Sequence, residues 1–324
     1  MNALVSIRDL DVSFFTSRGE VEVLRHVSFD VAPGKIVGIV GESGSGKSTL
    51  ALSMLRLLPP NLSRLDVEIL FDGENLLALP EAGMQRLRGS RISMIFQDPM
   101  SSLNPVFSIE TLMVDVQRAK RPDARRRAMR ARAVEMLDMV GIPDAARRIG
   151  EYPHQFSGGM RQRIMIAMAL LTEPQLLIAD EPTTALDVTI EAQIVRLLQK
   201  LRADLGVSIV FISHSLGLVS ELCDDVVVMY AGTVAEAAPA VELFARPAHP
   251  YTKALLACEA STRDDDEPRL LSIPGEVPDL VHVPAGCIFA DRCAFRMPQC
   301  RVENPALRPA GPGHGAACLL VSAA

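Results

Sequence analysis

The chain has no tryptophan, three tyrosines and eleven phenylalanines, so aromatics make up only 4% of its 324 residues. That is too few for the rows of stacking rings that grip single-stranded nucleic acid. Positive charge is not in excess either: 33 basic residues face 39 acidic ones, a formal net charge of −6. Overall charge therefore gives no reason to expect a nucleic-acid partner. No apolar run reaches the roughly 18 residues needed to span a bilayer. The longest, IMIAMALL at 164–171 and VSIVFIS at 207–213, have the length of buried core elements. The opening MNALVSIRDLDVSFF is interrupted by Arg8, Asp9 and Asp11 and lacks the apolar centre of a signal peptide. A cytosolic, thiol-reducing setting is the expectation that follows, with the six cysteines unpaired by default. What is present is a chain 48% hydrophobic, enough for a sizeable core and too much for bulk disorder. Its length suits one large domain and a smaller one.

Periodicity predicts an α/β core. ALVSIRDLDVSFF alternates, VEVLRHVSFDV follows, and KIVGIV at 35–40 is a compact run suited to a strand buried on both faces. A glycine-rich turn then leads into KSTLALSMLRLL at 47–58, a helical pattern expected to stop at Pro59. RISMIF (91–96), QLLIAD (175–180), VSIVFIS (207–213) and DVVVMYAG (225–232) read as further buried strands. Residues 100–165 read as helical. Beyond about 235 the texture turns proline-rich and loop-like, which predicts a domain over 1–235 and an irregular extension over 236–324.

Three motifs carry chemistry. GESGSGKST at 41–49 fits G-x-x-x-x-G-K-[ST] between a strand and a helix. Gly41, Glu42, Ser43, Gly44, Ser45 and Gly46 would wrap a phosphate with backbone N–H groups, Lys47 would reach the β- and γ-phosphates, Ser48 would ligate Mg²⁺, and Thr49 completes the turn. LLIADEPTTALD at 176–187 delivers Asp180 and Glu181 to the end of a buried strand. A carboxylate there can hold Mg²⁺, and its neighbour can deprotonate a water; alone, it could be a solvated acidic turn. FSGGMRQR at 156–163 places Ser157, Gly158 and Gly159 before a helix, which is either an anion-facing N-terminus or a bare cap. Gln97 and His214 follow predicted strands, where ligands gather in open parallel sheets, although either residue alone could be structural.

In this order and spacing, the phosphate loop, Gln97, SGG, ADEP, ALD at 185–187 and His214 resemble the ATP-binding subunits of ABC transporters. The match covers about residues 3–235. MIFQDPMSSLNP (94–105), DEPTTALDVT (180–189), HPYTKALL (249–256) and IPGEVPDL (273–280) extend it to the dipeptide, oligopeptide and nickel importer subfamily. The resemblance implies a P-loop NTPase (RecA-like) core, an antiparallel β subdomain, a helical subdomain near 100–165 and the small extension. It further implies a peripheral ATPase on the cytoplasmic face of the membrane, working with two transmembrane permease subunits and, indirectly, an extracytoplasmic substrate-binding protein. Two ATP molecules would lie in a head-to-tail dimer. Phe14 would stack on adenine, with Phe15 the competing choice. Gln97 would sense Mg²⁺, Glu181 would be the general base, and His214 would contact the γ-phosphate. Ser157, Gly158 and Gly159 would clamp the partner's ATP, and Asp187 would lie at the dimer seam. Met160, where many signatures carry Gln, resembles one of two ATPase types and implies a second, paralogous ATPase. Ser215 stands where Asp is common. Nickel or glutathione cargo, or a soluble non-transport ATPase, are the rival readings.

GCIFADRCAFRMPQC at 286–300 and a later cysteine give the spacing Cys287-x5-Cys293-x6-Cys300-x17-Cys318. This is not the C-x2-C knuckle of common zinc sites, and spacing alone leaves metal binding and incidental thiols both open. Resemblance to the peptide-importer extensions implies a [4Fe–4S] cluster on these four residues, with Zn²⁺ as the alternative. Cys223 and Cys258 lie outside the pattern and are expected to be buried thiols; His282 and His314 flank it and are expected not to ligate. The basic run from Arg118 to Arg132 is expected to be a solvated helix face, with attraction to anionic headgroups the sharper alternative.

Overall fold

The computed structural model describes residues 3–59, 63–97, 103–184, 187–263 and 271–321. The chain forms two compact units. One joins Met1–Ala78 to Ile212–Ala324, and the other is the stretch between them, Leu79–Phe211.

The first unit opens with β1 (Val5–Thr16) and β2 (Gly19–Val31), which pair antiparallel. β1 buries Val5 and Ile7, then Leu10 and Val12. That sequence changes parity, and the register shifts between Ile7 and Leu10 absorb it. Asp9 takes φ 51° there, so one extra residue keeps both pairs facing inward. β3 (Ile36–Val40) is buried at all five positions, as its continuous apolar run predicts. The helix Lys47–Met54 follows the phosphate loop. It ends short of the expected Pro59 because Arg56 turns left-handed at φ 50° and Leu57 N–H bonds back to the Leu52 carbonyl. β4 (Ser63–Phe71) and β5 (Glu74–Asn75) complete a four-stranded sheet in the order β2-β1-β4-β5. Sequence pattern missed β4 because Asp66 and Glu68 break its apolar rhythm.

The second unit holds β6 (Ile92–Ile95) parallel to β7 (Leu176–Asp180), with β8 (Ser208–Ile212) beside β7 in strand order. Helices Ile109–Lys120, Arg126–Met139 and Gly158–Leu170 form the expected helical region. Ser108 caps the first of these, its side chain accepting the Thr111 N–H. Helix Val188–Leu205 starts at Asp187 and ends at Gly206, which is left-handed at φ 67°. Among the described residues no helix is long and apolar enough to cross a membrane.

Back in the first unit, β9 (Asp225–Tyr230) lies parallel to β3, and β10 (Thr233–Pro239) pairs antiparallel with β9. Beyond 235 the chain is more ordered than its composition predicts. Helix Pro250–Arg263 forms, and β11 (Arg308–Gly311) and β12 (His314–Ala316) continue the sheet through pairing of β12 with β10. Short strands such as HGA carry no periodic signal; the ladder offered by β10 makes them strands.

Candidate functional site

The phosphate loop sits at the end of β3. Two of its glycines are forced by geometry: Gly41 at φ 151° passes Met229 so closely that a Cβ would stand 2.1 Å from its carbonyl oxygen, and Gly46 at φ 97° leaves no room beside Leu24. Gly46 is the N-cap of the Lys47–Met54 helix, which aims that helix's N–H groups into the loop. Lys47 is buried, and its ammonium donates to the Gly41 and Glu42 carbonyls at 2.7 and 2.9 Å. The Glu42 amide is committed elsewhere, donating to the Tyr251 hydroxyl at 2.9 Å. Of the two candidate adenine rings, Phe14 is half-buried on β1 opposite Val21, while Phe15 is 48% exposed.

His214, in the same unit, follows the end of β8 and is exposed. The turn around it is pinned on both sides. Ser213 N–H donates to the Ile39 carbonyl on β3 at 3.2 Å. Ser215 caps helix Leu216–Leu222, its hydroxyl accepting the Leu218 N–H. The carboxylate of Glu259 accepts the Leu216 and Gly217 N–H groups at 2.8 and 2.7 Å.

In the other unit, Asp180 is the last residue of β7 and is buried, and Glu181 follows it at φ 46°. A non-glycine residue in the left-handed region carries backbone strain of about 1 kcal/mol or more. The Glu181 carboxylate is held by two donors on one oxygen: Gln97 Nε2 at 2.9 Å and Thr184 Oγ1 at 2.8 Å. The structure thus brings together Gln97 and Glu181, two residues singled out separately from sequence. A carboxylate aimed by neighbouring donors at the end of a buried strand is suited to accepting a proton from water.

The SGG element is a capped helix start. Ser157 accepts the Met160 N–H, and Ser157 and Gly158 are exposed. Gly159 is close-packed, since a Cβ there would stand 3.0 Å from Ile190. Phe156 anchors the turn under the Arg148 guanidinium, 4.4 Å above its ring, and Arg148 also donates to the Met160 sulfur at 3.8 Å. Met160 therefore has a partner of its own. Asp187 is exposed at the start of its helix, while Ala185 and Leu186 lie outside the described residues.

The four tail cysteines share one neighbourhood. Burial pushes the Cys287 thiol up to about 11, against a hydrogen bond from the Phe289 backbone, and the charges of Cys300, Cys318 and Cys293 add to the rise. Burial likewise raises Cys293, against a bond from the Phe295 backbone. The Cys300 sulfur accepts the Met297 N–H at 3.5 Å. Backbone N–H groups directed at sulfur suit thiolates that hold a metal. Against that, among the described residues no three His, Cys, Asp or Glu side chains are arranged to hold an ion, so the donor chemistry fits a metal centre and the arrangement gives it no support. Cys223 is buried as expected, but Cys258 is half-buried, lying on the Pro250–Arg263 helix toward Ile273. His314 is buried against Glu236 at 2.6 Å, and His282 is exposed.

The basic run is partly paired with carboxylates from outside it, while Arg121, Arg125 and Arg127 are exposed. Arg126 and Arg130 both bind Glu110, each at 3.0 Å, and Arg132 reaches Glu173 at 3.0 Å. The run is a solvated helix face in part, and its exposed arginines leave attraction to anionic headgroups as the alternative.

Sequence reasoning missed three residues near this chemistry: Tyr251, Glu259 and Arg292. Tyr251 lies in HPYTKALL, and Arg292 immediately precedes Cys293. Both sit in segments that sequence had marked, and no rule of spacing links either to the phosphate loop.

Comparison with known proteins bears on these elements. The pattern of the family described as ABC transporter matches residues 24–184, and that described as the oligopeptide/dipeptide transporter C-terminal region matches 235–300. A Sinorhizobium fredii protein named "Probable peptide ABC transporter ATP-binding protein" is 49% identical over 97% of this chain and 94% of its own length. A Brucella melitensis relative, named for peptide import ATP binding, is 46% identical over 98% of this chain and 96% of its own. Among solved structures, the dimeric ATP-binding cassette MJ0796, in a post-hydrolysis state bound to ADP and Pi, matches with TM-score 0.64 and 26% identity, covering 73% of this chain and 98% of that one. The glycine-lined phosphate loop, the Gln97–Glu181 pair and the capped SGG helix are thus features of a chain that belongs to the ABC transporter ATP-binding family, in the branch bearing the oligopeptide/dipeptide transporter C-terminal region.

Proposed function

We propose that this chain is the ATP-binding and hydrolysing subunit of an ABC importer for di- or oligopeptides. The carrying observation is the 49% identity, across nearly the whole chain, to a protein named for peptide transport. Gly41 to Thr49 bind the triphosphate, with Lys47 neutralising its charge, and Phe14 meets the adenine. Ser48, Gln97 and Asp180 are suited to hold Mg²⁺, which when bound offsets phosphate charge. Glu181 takes the proton of the attacking water, held in direction by Gln97 and Thr184. His214 contacts the γ-phosphate from its pinned turn.

Ser157, Gly158 and Gly159 face the ATP of a second ATPase, and Asp187 lies at the seam; the exposure of Ser157, Gly158 and Asp187 and the dimeric state of the MJ0796 cassette support this. That second ATPase is a paralogue rather than a copy, a reading that rests on Met160. Residues 1–235 form the motor, and 236–324 the subfamily-specific extension. Two transmembrane permease subunits dock on the helical region, where Val106 and Phe107 are among the exposed large apolar residues. The chain lies on the cytoplasmic face of the membrane and meets the extracytoplasmic binding protein only through the permeases. Cys287, Cys293, Cys300 and Cys318 hold a [4Fe–4S] cluster, with Zn²⁺ the alternative; the N–H···S bonds support a thiolate centre. Anaerobic protein with visible iron–sulfur absorbance is expected, and colourless protein with stoichiometric zinc would reverse that choice.

The test of the main reading is reconstitution with the permeases and the paralogue in vesicles. ATP turnover should rise when a peptide-loaded binding protein is added. Stimulation by nickel or glutathione and not by peptide would overturn the cargo, and turnover indifferent to any permease would overturn the transport role.

A further inference from the structure

The segment beyond 235 touches the ATP chemistry at two points, both within one compact unit. The first is Arg292. Its side chain is only 5% exposed, and its guanidinium makes five hydrogen bonds. Nη1 and Nη2 grip the two Glu42 carboxylate oxygens at 2.6 and 3.0 Å, in the fork geometry of a bidentate pair. Nη1 also reaches the Tyr230 hydroxyl at 3.3 Å, and Nη2 and Nε donate to the Ile273 and Pro274 carbonyls at 3.0 and 3.1 Å. A guanidinium has five N–H groups, and the number of bonds matches. Tyr251, fully buried, adds a second hold on the same residue through the Glu42 amide.

The second point is Glu259. The turn carrying His214 has Ser215 in place of an acid, and its N–H groups at Leu216 and Gly217 are met by a carboxylate arriving from helix Pro250–Arg263. A side chain 43 residues along the chain supplies what a local acidic cap would.

We propose that Arg292 and Glu259 are positioning residues for ATP hydrolysis: Arg292 holds and neutralises Glu42 within the phosphate loop, and Glu259 fixes the turn that presents His214. The extension is then a working part of the motor. This rests on the ATPase reading above. A carboxylate inside a loop built for a polyanion is tolerable only while its charge is cancelled. Without Arg292, Glu42 opposes the nucleotide directly, so the loss falls on ATP binding. Without Glu259, ATP binding is kept and the step needing His214 suffers.

The test uses the full chain in the assembled transporter, reading ATP turnover and equilibrium binding of a fluorescent ATP analogue. Arg292→Met should raise KM and the analogue's Kd on the order of tenfold, with kcat little changed. Adding Glu42→Gln to Arg292→Met should recover most of that loss, because it removes the uncancelled charge. Glu259→Gln should lower kcat on the order of tenfold at unchanged Kd. If Arg292→Met lowers only yield and melting temperature, or if Glu42→Gln fails to restore affinity, Arg292 is a structural pin and the proposal falls for it. Unchanged kcat in Glu259→Gln removes Glu259. Absence of ATP turnover by the unmodified complex would instead sink the ATPase reading, an outcome these variants cannot mimic.

Discussion

At the scale of the residue, the most informative position is Glu181. A left-handed backbone at a glutamate costs stability and persists only where surroundings over-determine it, and here two hydrogen bonds fix its carboxylate. Glu181→Gln keeps the shape and removes the proposed base. Its turnover should fall by about 10²–10⁴-fold while ATP binding stays intact, as single-turnover assays would reveal. A second residue-scale consequence concerns His249. Burial pushes its pKa down to about 4, with Glu236 pulling the other way. The unfolded chain therefore binds this proton more readily than the folded one, and stability should fall as pH drops from about 6.5 toward 4. Denaturant titrations across that range should find a loss on the order of 2–3 kcal/mol, and His249→Gln should flatten it. Glu236, fully buried, accepts from the Ala248 and His249 N–H groups and pairs with His314. Its removal strands three polar partners, two of them buried, so Glu236→Ala should cost about 3 kcal/mol or more.

At the scale of the element, legibility in sequence followed from where each signal lives. Buried strands such as KIVGIV and LLIAD declare themselves because continuous burial leaves an uninterrupted apolar run. The phosphate loop declares itself because only glycine fits at Gly41 and Gly46. β4 does not, since its pairing with β1 outweighs a polar-broken pattern. The helix after the loop stopped short of its proline because Arg56 turns left-handed, a conformation residue type does not announce. Paired helices Ile109–Lys120 and Arg126–Met139 show the same limit: sequence displayed a basic run, and folding placed Glu110 between two of its arginines. Burial raises the Glu110 carboxyl, yet the hydrogen bonds from Arg126 and Arg130 prevail and hold it below its ordinary range. Glu110→Gln should therefore loosen this helix pair by about 1 kcal/mol, with less effect at high salt. Helix Gly158–Leu170 offers a sharper test of contact. A side chain at Gly159 must push Ile190 aside, so Gly159→Val should abolish the proposed ATP-driven pairing in a sedimentation assay while circular dichroism still finds folded protein.

At the scale of the molecule, the chain's two ends belong to one compact unit, with the other unit inserted between them. Sequence reading divided the chain once, near 235, because composition changes there. Folding instead threads the later segment back onto the first: β10 pairs with β9, β12 joins β10, and residues 251, 259 and 292 return to the loops at 42 and 216. Those returns depend on side chains far apart in sequence, which no local pattern encodes, and so the site's motifs were legible while its supports were not.

The Glu42–Arg292 pair spans 250 positions. A ribosome adding about 5–20 residues per second needs on the order of 10–50 s to travel that far. If Arg292 cancels Glu42 as proposed, the phosphate loop exists for that time during synthesis with its glutamate uncancelled, and the nascent chain binds ATP poorly until residue 292 emerges. Stalled nascent chains ending before residue 292 should be retained on immobilised ATP far less than chains released at full length. On that proposal the order of translation would act as a timer that withholds the fuel until the machine is complete.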